Sequence, residues 1–224
     1  MHKIRVKIEG LLDAATAVEA ARLGADAVGL VFAPSPRQVD YETARSIVAA
    51  LPPWVSSIGV FVNANADDIN RIACHVGLTC VQLHGDEGPE MVGLIELPCL
   101  KAFRVRDENW LNEVRLWMTG VTGGRVAGIV LDAYDANARG GTGKTFNWRL
   151  ISQADAVPVA GLLTILKDRP PVAVILAGGL NPDNVAAAIA AVNPYAVDVA
   201  SGVESAPSVK DLAKIKSFIE KANS

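Results

Sequence analysis

Cysteine, histidine and aromatic residues are scarce in this 224-residue sequence: three cysteines, three histidines and 5% aromatics. Cys74, Cys80 and Cys99 are too few and too irregularly spaced for a disulfide framework or a zinc site. They read as buried apolar side chains or, at one of them, a reactive thiol. A basic run that could track a phosphate backbone is also missing. The 21 basic and 24 acidic residues nearly balance at a net charge of -3, which argues against nucleic-acid binding. No apolar stretch approaches the ~20 residues needed to span a bilayer. The opening "MHKIRVKIEG" lacks the uninterrupted apolar core of a signal peptide. A cytoplasmic chain with no membrane and no nucleic-acid partner is expected.

What the sequence does contain is a regular alternation. Short β-branched runs at 4–9, 27–33, 56–63, 79–84, 99–105, 125–133, 172–179 and 195–201 read as eight strands. Between them lie alanine-rich amphipathic stretches: "DAATAVEAARLG", "DYETARSIVAAL", "NADDINRIACHVG", "GPEMVGLIEL", "DENWLNEVRLWM", a segment within 148–168, "NPDNVAAAIAAV" and "SVKDLAKIKSFIEKA". Eight repeats of strand and helix, at roughly 28 residues per unit, predict an α/β fold, a single-domain (β/α)8 TIM barrel over 1–224. The stretch 148–171 is longer and more apolar than one crossover helix needs, so it holds an extra helix or packs against a partner. A doubly wound open sheet also alternates strand and helix, but its phosphate loop follows the first strand, where only Gly10 stands. Here the glycine turns follow strands seven and eight, in "ILAGGLNPDN" and "VDVASGVESAP", where barrel enzymes build phosphate sites.

Candidate site residues follow from this placement. In "RVKIEGLLDA" the period of two sends Val6 and Ile8 toward the helices and Lys7 and Glu9 into the barrel, with Glu9 at the catalytic rim. Glu9 is then a general base or merely the partner of Lys7. Gly178, Gly179, Ser201 and Gly202 are either a phosphate cradle or plain turn residues. Asp132 ends an apolar strand in "GIVLDAYD", as a catalytic acid or a cap, and Asp135 reads as a turn residue. Arg37 in "FAPSPRQV" is either a solvated loop residue or a clamp for a carboxylate. His84 ends strand four in "VQLHGDE" and is structural or catalytic.

These segments together, with "GADAVGLVFAPSPRQV", "GVFVN", "KAFRV", "VLDAYDANARGGTGKTFNW" and "AVDVASGVESAPSVKD", resemble the phosphoribosylanthranilate isomerases of tryptophan biosynthesis over essentially the whole chain. The resemblance implies an Amadori rearrangement of a phosphorylated small-molecule substrate without metal or organic cofactor, by a monomer or homodimer. It makes Asp132 the general acid, turns Arg37 to the anthranilate carboxylate, and gives the phosphate to Gly178–Gly179 and Ser201–Gly202; Lys7 and His84 join the substrate-binding candidates on their own strand positions. It makes Gly140–Trp148 part of a lid. The family pattern at the end of strand one is Lys-Ile-Cys-Gly, where this chain has Lys7, Ile8, Glu9 and Gly10. A glutamate there is charged at neutral pH but is a weaker base than a thiolate. The alternatives to an active isomerase are a phosphate-binding barrel with a binding or regulatory role, and an isomerase for a related phosphoribosyl amine.

Overall fold

Eight short strands pair in parallel, each with the next, and the last closes on the first. They are β1 (Arg5–Glu9), β2 (Ala27–Val31), β3 (Ser56–Phe61), β4 (Cys80–Leu83), β5 (Cys99–Val105), β6 (Val126–Ala133), β7 (Ala173–Ala177) and β8 (Ala196–Val199). In this computed structural model residues 3–133, 151 and 172–224 are described. Apart from residue 151, the expected helix within 148–168 lies outside them, as do the Gly140–Trp148 segment and Asp135. All eight predicted strands are present, each inside the predicted range.

The described helices are α1 (Ala14–Leu23), α2 (Tyr41–Ala50), α3 (Ala66–Val76), α4 (Met91–Leu94), α5 (Trp110–Thr119), α6 (Val185–Val192) and α7 (Leu212–Ala222). Their starts follow local chemistry. Asp13, Asp40, Asn65 and Asp211 each accept a hydrogen bond from a backbone N–H of the first turn, satisfying donors that the helix itself leaves unpaired. The stretch expected to be helical over 88–97 forms only α4. Gly88, Pro89 and Gly93 crowd that segment, and the chain turns extended at Ile95. After β8 comes a two-stranded hairpin, β9 (Glu204–Ala206) with β10 (Val209–Lys210), that the sequence reading did not foresee.

Two apolar layers hold the barrel. Outward residues such as Val6, Ile8, Val28, Leu83, Leu131, Leu176 and Val197 meet the helices in the larger core. Inward residues Ile58, Leu100, Ala102, Val130, Ile175, Ala177 and Ala196 fill the interior. Above that plug the inward positions of β1, β4, β6 and β8 become polar, while Val31, Ala33 and Val60 form a small apolar cluster on the side of β2 and β3. Of the cysteines, Cys99 is buried and Cys80 half-buried, but Cys74 is exposed, which corrects its reading as a core residue. Helix α3 buries Ile69, Ile72, Ala73 and Val76, and Cys74 falls off that stripe. No helix among the described residues is long and apolar enough to cross a membrane.

Candidate active site

Lys7 is the centre of the polar layer. Its neighbours in register are Asp198 on β8 and Ala27 on β2, and its side chain is almost wholly buried. The three protons of its ammonium are committed: to Glu9 Oε2 at 2.7 Å, Asp198 Oδ2 at 2.7 Å and Gln82 Oε1 at 2.8 Å. Burial opposes the charge, but the two carboxylates outweigh it and raise the lysine pKa above its ordinary value. Room for this cluster comes from β2. A Cβ on Gly29 would stand 2.9 Å from both Glu9 Cγ and Lys7 Cε, so any side chain there would displace the pair.

The two carboxylates around Lys7 respond in opposite ways. Burial works against the charged form of Glu9, but the Lys7 charge and hydrogen bond prevail, and its pKa falls to about 2. Burial dominates at Asp198, and the nearby Glu9 charge adds to it against the pull of Lys7, so its pKa climbs to about 7. Asp198 Oδ1 is buried and, among the described residues, receives no hydrogen bond.

From Gln82 the network passes to the opposite wall. Because Gln82 Oε1 accepts from Lys7, its amide nitrogen faces outward and donates to His84 Nδ1 at 2.8 Å. That places the imidazole proton on Nε2, which points at Asp132 Oδ2, 3.4 Å away. Burial disfavours a charged His84, but the Asp132 hydrogen bond and the Glu9 and Asp132 charges prevail and raise its pKa. A buried pair beneath fixes the loop after β4: Lys101 donates to Gly85 O at 2.6 Å and to Glu87 Oε2 at 2.9 Å.

The turns after β7 and β8 close the far side. Gly178 and Gly179 have φ of 83° and 64°, left-handed backbone in which side chains other than glycine are strained. Gly202, in the short 3-10 turn Ser201–Val203, lies so close to the β7 turn that a Cβ would overlap the Leu180 carbonyl. The two turns are thus packed backbone to backbone. Arg37 stands at the rim with its stem over Gly10, whose φ is 76°. Its Nε and Nη2 donate to Glu204 Oε1 and Oε2 at 2.7 and 2.8 Å, and Lys210 donates to Glu204 Oε1 at 2.8 Å. Burial notwithstanding, these two cations hold the Glu204 carboxyl at about 2. Nη1 is the edge of the guanidinium that Glu204 leaves open.

Glu9, Asp132, His84, Gly178, Gly179 and Ser201 line one cavity of about 190 Å³, together with Asp198. Lys7, Gly202 and Arg37 do not line it: Lys7 is saturated by its partners, Gly202 supports the turn, and Arg37 is bound to Glu204. Sequence reasoning missed Asp198, Gln82, Glu204 and Lys210. Asp198 was detectable, since an aspartate within the apolar "YAVDVA" is as anomalous as Asp132 in "GIVLDA". Glu204 and Lys210 carried no such mark, because the hairpin that presents them was not expected.

A closed parallel barrel that gathers ionisable groups and glycine turns at the C-terminal ends of its strands is the architecture of barrel enzymes, with the site where their chemistry takes place. The family model for N-(5'phosphoribosyl)anthranilate (PRA) isomerase matches residues 6–221. The N-(5'-phosphoribosyl)anthranilate isomerase of Geobacter metallireducens is 46% identical over 220 residues, 98% of each chain. The crystal structure of the Thermotoga maritima phosphoribosyl anthranilate isomerase superposes with a TM-score of 0.82 at 40% identity, covering 98% of each chain. One solved in complex with reduced 1-(o-carboxyphenylamino)-1-deoxyribulose 5-phosphate does so at 0.77 and 37%, again over 98% of each. The chain belongs to the N-(5'-phosphoribosyl)anthranilate isomerase family.

Proposed function

We propose that the chain converts N-(5'-phosphoribosyl)anthranilate to 1-(2-carboxyphenylamino)-1-deoxyribulose 5-phosphate, with Asp132 as general acid and Glu9 as general base. The enzyme is an isomerase of tryptophan biosynthesis. One observation carries the assignment of roles: Glu9 and Asp132 line the same cavity as the glycine turns at Gly178–Gly179 and Ser201. A proton donor and a proton acceptor thereby share one space with a backbone cradle for phosphate.

The chemistry divides between them. Asp132, hydrogen-bonded to His84, gives a proton to the furanose ring oxygen; the C1–O bond breaks toward oxygen, and the nitrogen lone pair forms the C1=N iminium. Glu9 then removes the C2 proton. The C–H electron pair becomes the C1=C2 bond of an enolamine, the nitrogen regains its lone pair, and tautomerisation gives the ketone. Carboxyl groups suffice for both transfers, since the iminium acidifies the C2 proton, so neither metal nor organic cofactor is required. Nη1 of Arg37 receives the anthranilate carboxylate, and the phosphate lies against the backbone of Gly179 and Ser201–Gly202. The substrate is a small phosphorylated molecule, and the enzyme acts in the cytoplasm as a monomer or homodimer.

Expression in a bacterial strain lacking this isomerase tests the function. Growth without tryptophan is expected. Failure to grow with the protein present and folded would contradict it.

A further inference from the structure

Glu9 poses a chemical problem: a carboxylate donated to by a buried ammonium at 2.7 Å is a poor proton acceptor. The barrel supplies a second carboxylate in the same place. Lys7 donates to Asp198 at the same distance, so one nitrogen bridges the two acids, and the three groups together carry one negative charge in excess. Asp198 Oδ1 is buried with no donor aimed at it among the described residues. A buried carboxyl oxygen in that state is satisfied by carrying a proton and giving it to a neighbouring acceptor.

We propose that Glu9 and Asp198, bridged by Lys7, act as one proton-accepting unit, in which Glu9 meets the C2 proton and Asp198 is the positioning residue that shares it. The proposal rests on the reading of Glu9 as the base. Taken singly, Glu9 beside Lys7 and Asp198 takes up a proton only in strong acid. Taken as a pair, the two acids share Lys7, and the first proton taken up by the pair neutralises the cluster. The step balances: the C2–H bond breaks, its electrons form C1=C2, and the proton lands on a Glu9 oxygen, from which it is shared with Asp198. The rise of Asp198 to about 7, with a Glu9 hydrogen bond among its causes, agrees with this geometry.

The groups facing the pair from the other elements fit the same account. From β4 come Gln82 and His84, and from β6 Asp132, which hydrogen-bonds His84. The charges of Arg37 and Lys210 reach Glu9 from the rim. Burial pushes the Cys80 thiol, which also senses Lys7, up to about 11, so it stays protonated and neutral. The inward faces of β3, β5 and β7 present Ile58, Leu100, Ala102, Ile175 and Ala177, which carry no charge, and the one cation on these faces among the described residues is the exposed Arg104, two positions beyond Ala102 on β5 and in register with Asp132.

The test compares pH profiles of kcat/KM for the wild type, Asp198→Asn and Glu9→Gln, using phosphoribosylanthranilate as substrate. Wild type should lose activity as pH falls below about 7, because the pair then already holds its proton. In Asp198→Asn this acid limb should move down by two pH units or more, and the plateau should drop on the order of 10- to 100-fold, as expected of a weaker base. A merely structural Asp198 would lower the plateau and leave the limb in place, and that result overturns the proposal. Asp198→Glu should restore the limb. Activity retained in Glu9→Gln would instead sink the base reading itself. Infrared titration of the wild type gives a check independent of the variants' folding. A protonated carboxyl band should disappear between pH 5 and 9, persist in Asp132→Asn, and be missing in Glu9→Gln. Its absence from the wild type would also overturn the proposal.

Discussion

Replacing Lys7 by methionine probes the cluster on which the site is built. The side chain fits the same volume, but three hydrogen bonds and, among the described residues, the one cation of the buried cluster are lost. Removing one partner of a buried ion pair costs ~3–5 kcal/mol, because uncompensated charge is left behind. For a chain of this size each kcal/mol shifts Tm by about 2–4 °C, so a fall on the order of 6–20 °C is expected. The cost should also depend on pH. In the wild type, Glu9 has a lowered pKa, so its contribution is present above its ordinary 4.5 and lost as pH falls toward 2. Asp198 has the opposite shift, so its effect is to lower stability as pH rises from 3.8 to about 7. Without Lys7 both carboxyls favour the protonated form, and the loss should be smaller at pH 5 than at pH 8. Thermal and urea unfolding of both proteins at these two pH values supply the comparison. A loss below about 1 kcal/mol at pH 8, or an equal loss at both, would refute the reasoning, since a buried pair broken on one side costs well more than that.

Two further substitutions address the remaining roles. Asp132→Asn should lower turnover on the order of 100-fold or more while leaving the affinity for reduced, non-isomerisable product little changed, because the lost interaction belongs to the transition state. Steady-state kinetics beside calorimetric titration would decide, and near-normal turnover would rule out Asp132 as the acid. Arg37→Ala should weaken anthranilate-bearing ligands by 10-fold or more while barely affecting ribose 5-phosphate. Equal losses for both ligands in calorimetry would contradict a carboxylate clamp.

The barrel was legible because its strands are short β-branched runs cut by glycine and proline, and its helices carry apolar stripes and caps such as Asp13 and Asp40. Period two alone placed Lys7 and Glu9 inside, and the structure puts Val6 and Ile8 in the outer core and Lys7 in the polar layer. Helix α4 was overestimated because an apolar run with Gly93 in it matches helical spacing without holding a helix. Pairings were the illegible part. That Asp198 shares Lys7 with Glu9 follows from the closure of β8 on β1, across 191 positions of sequence. Likewise, Arg37 meets Glu204 across 167 positions, through a hairpin whose three- and two-residue strands leave little periodic trace.

The most direct test of the account is the conversion of freshly made phosphoribosylanthranilate, followed by loss of its fluorescence, for wild type, Glu9→Gln and Glu9→Cys. Glutamine keeps an oxygen for Lys7 but cannot take a proton at neutral pH, so turnover should fall on the order of 100-fold or more with substrate binding intact. Cysteine rebuilds Lys-Ile-Cys-Gly and should retain or raise activity. If wild type and Glu9→Gln are equally slow while Glu9→Cys turns over, Glu9 disables the site rather than serving it, and the account is contradicted.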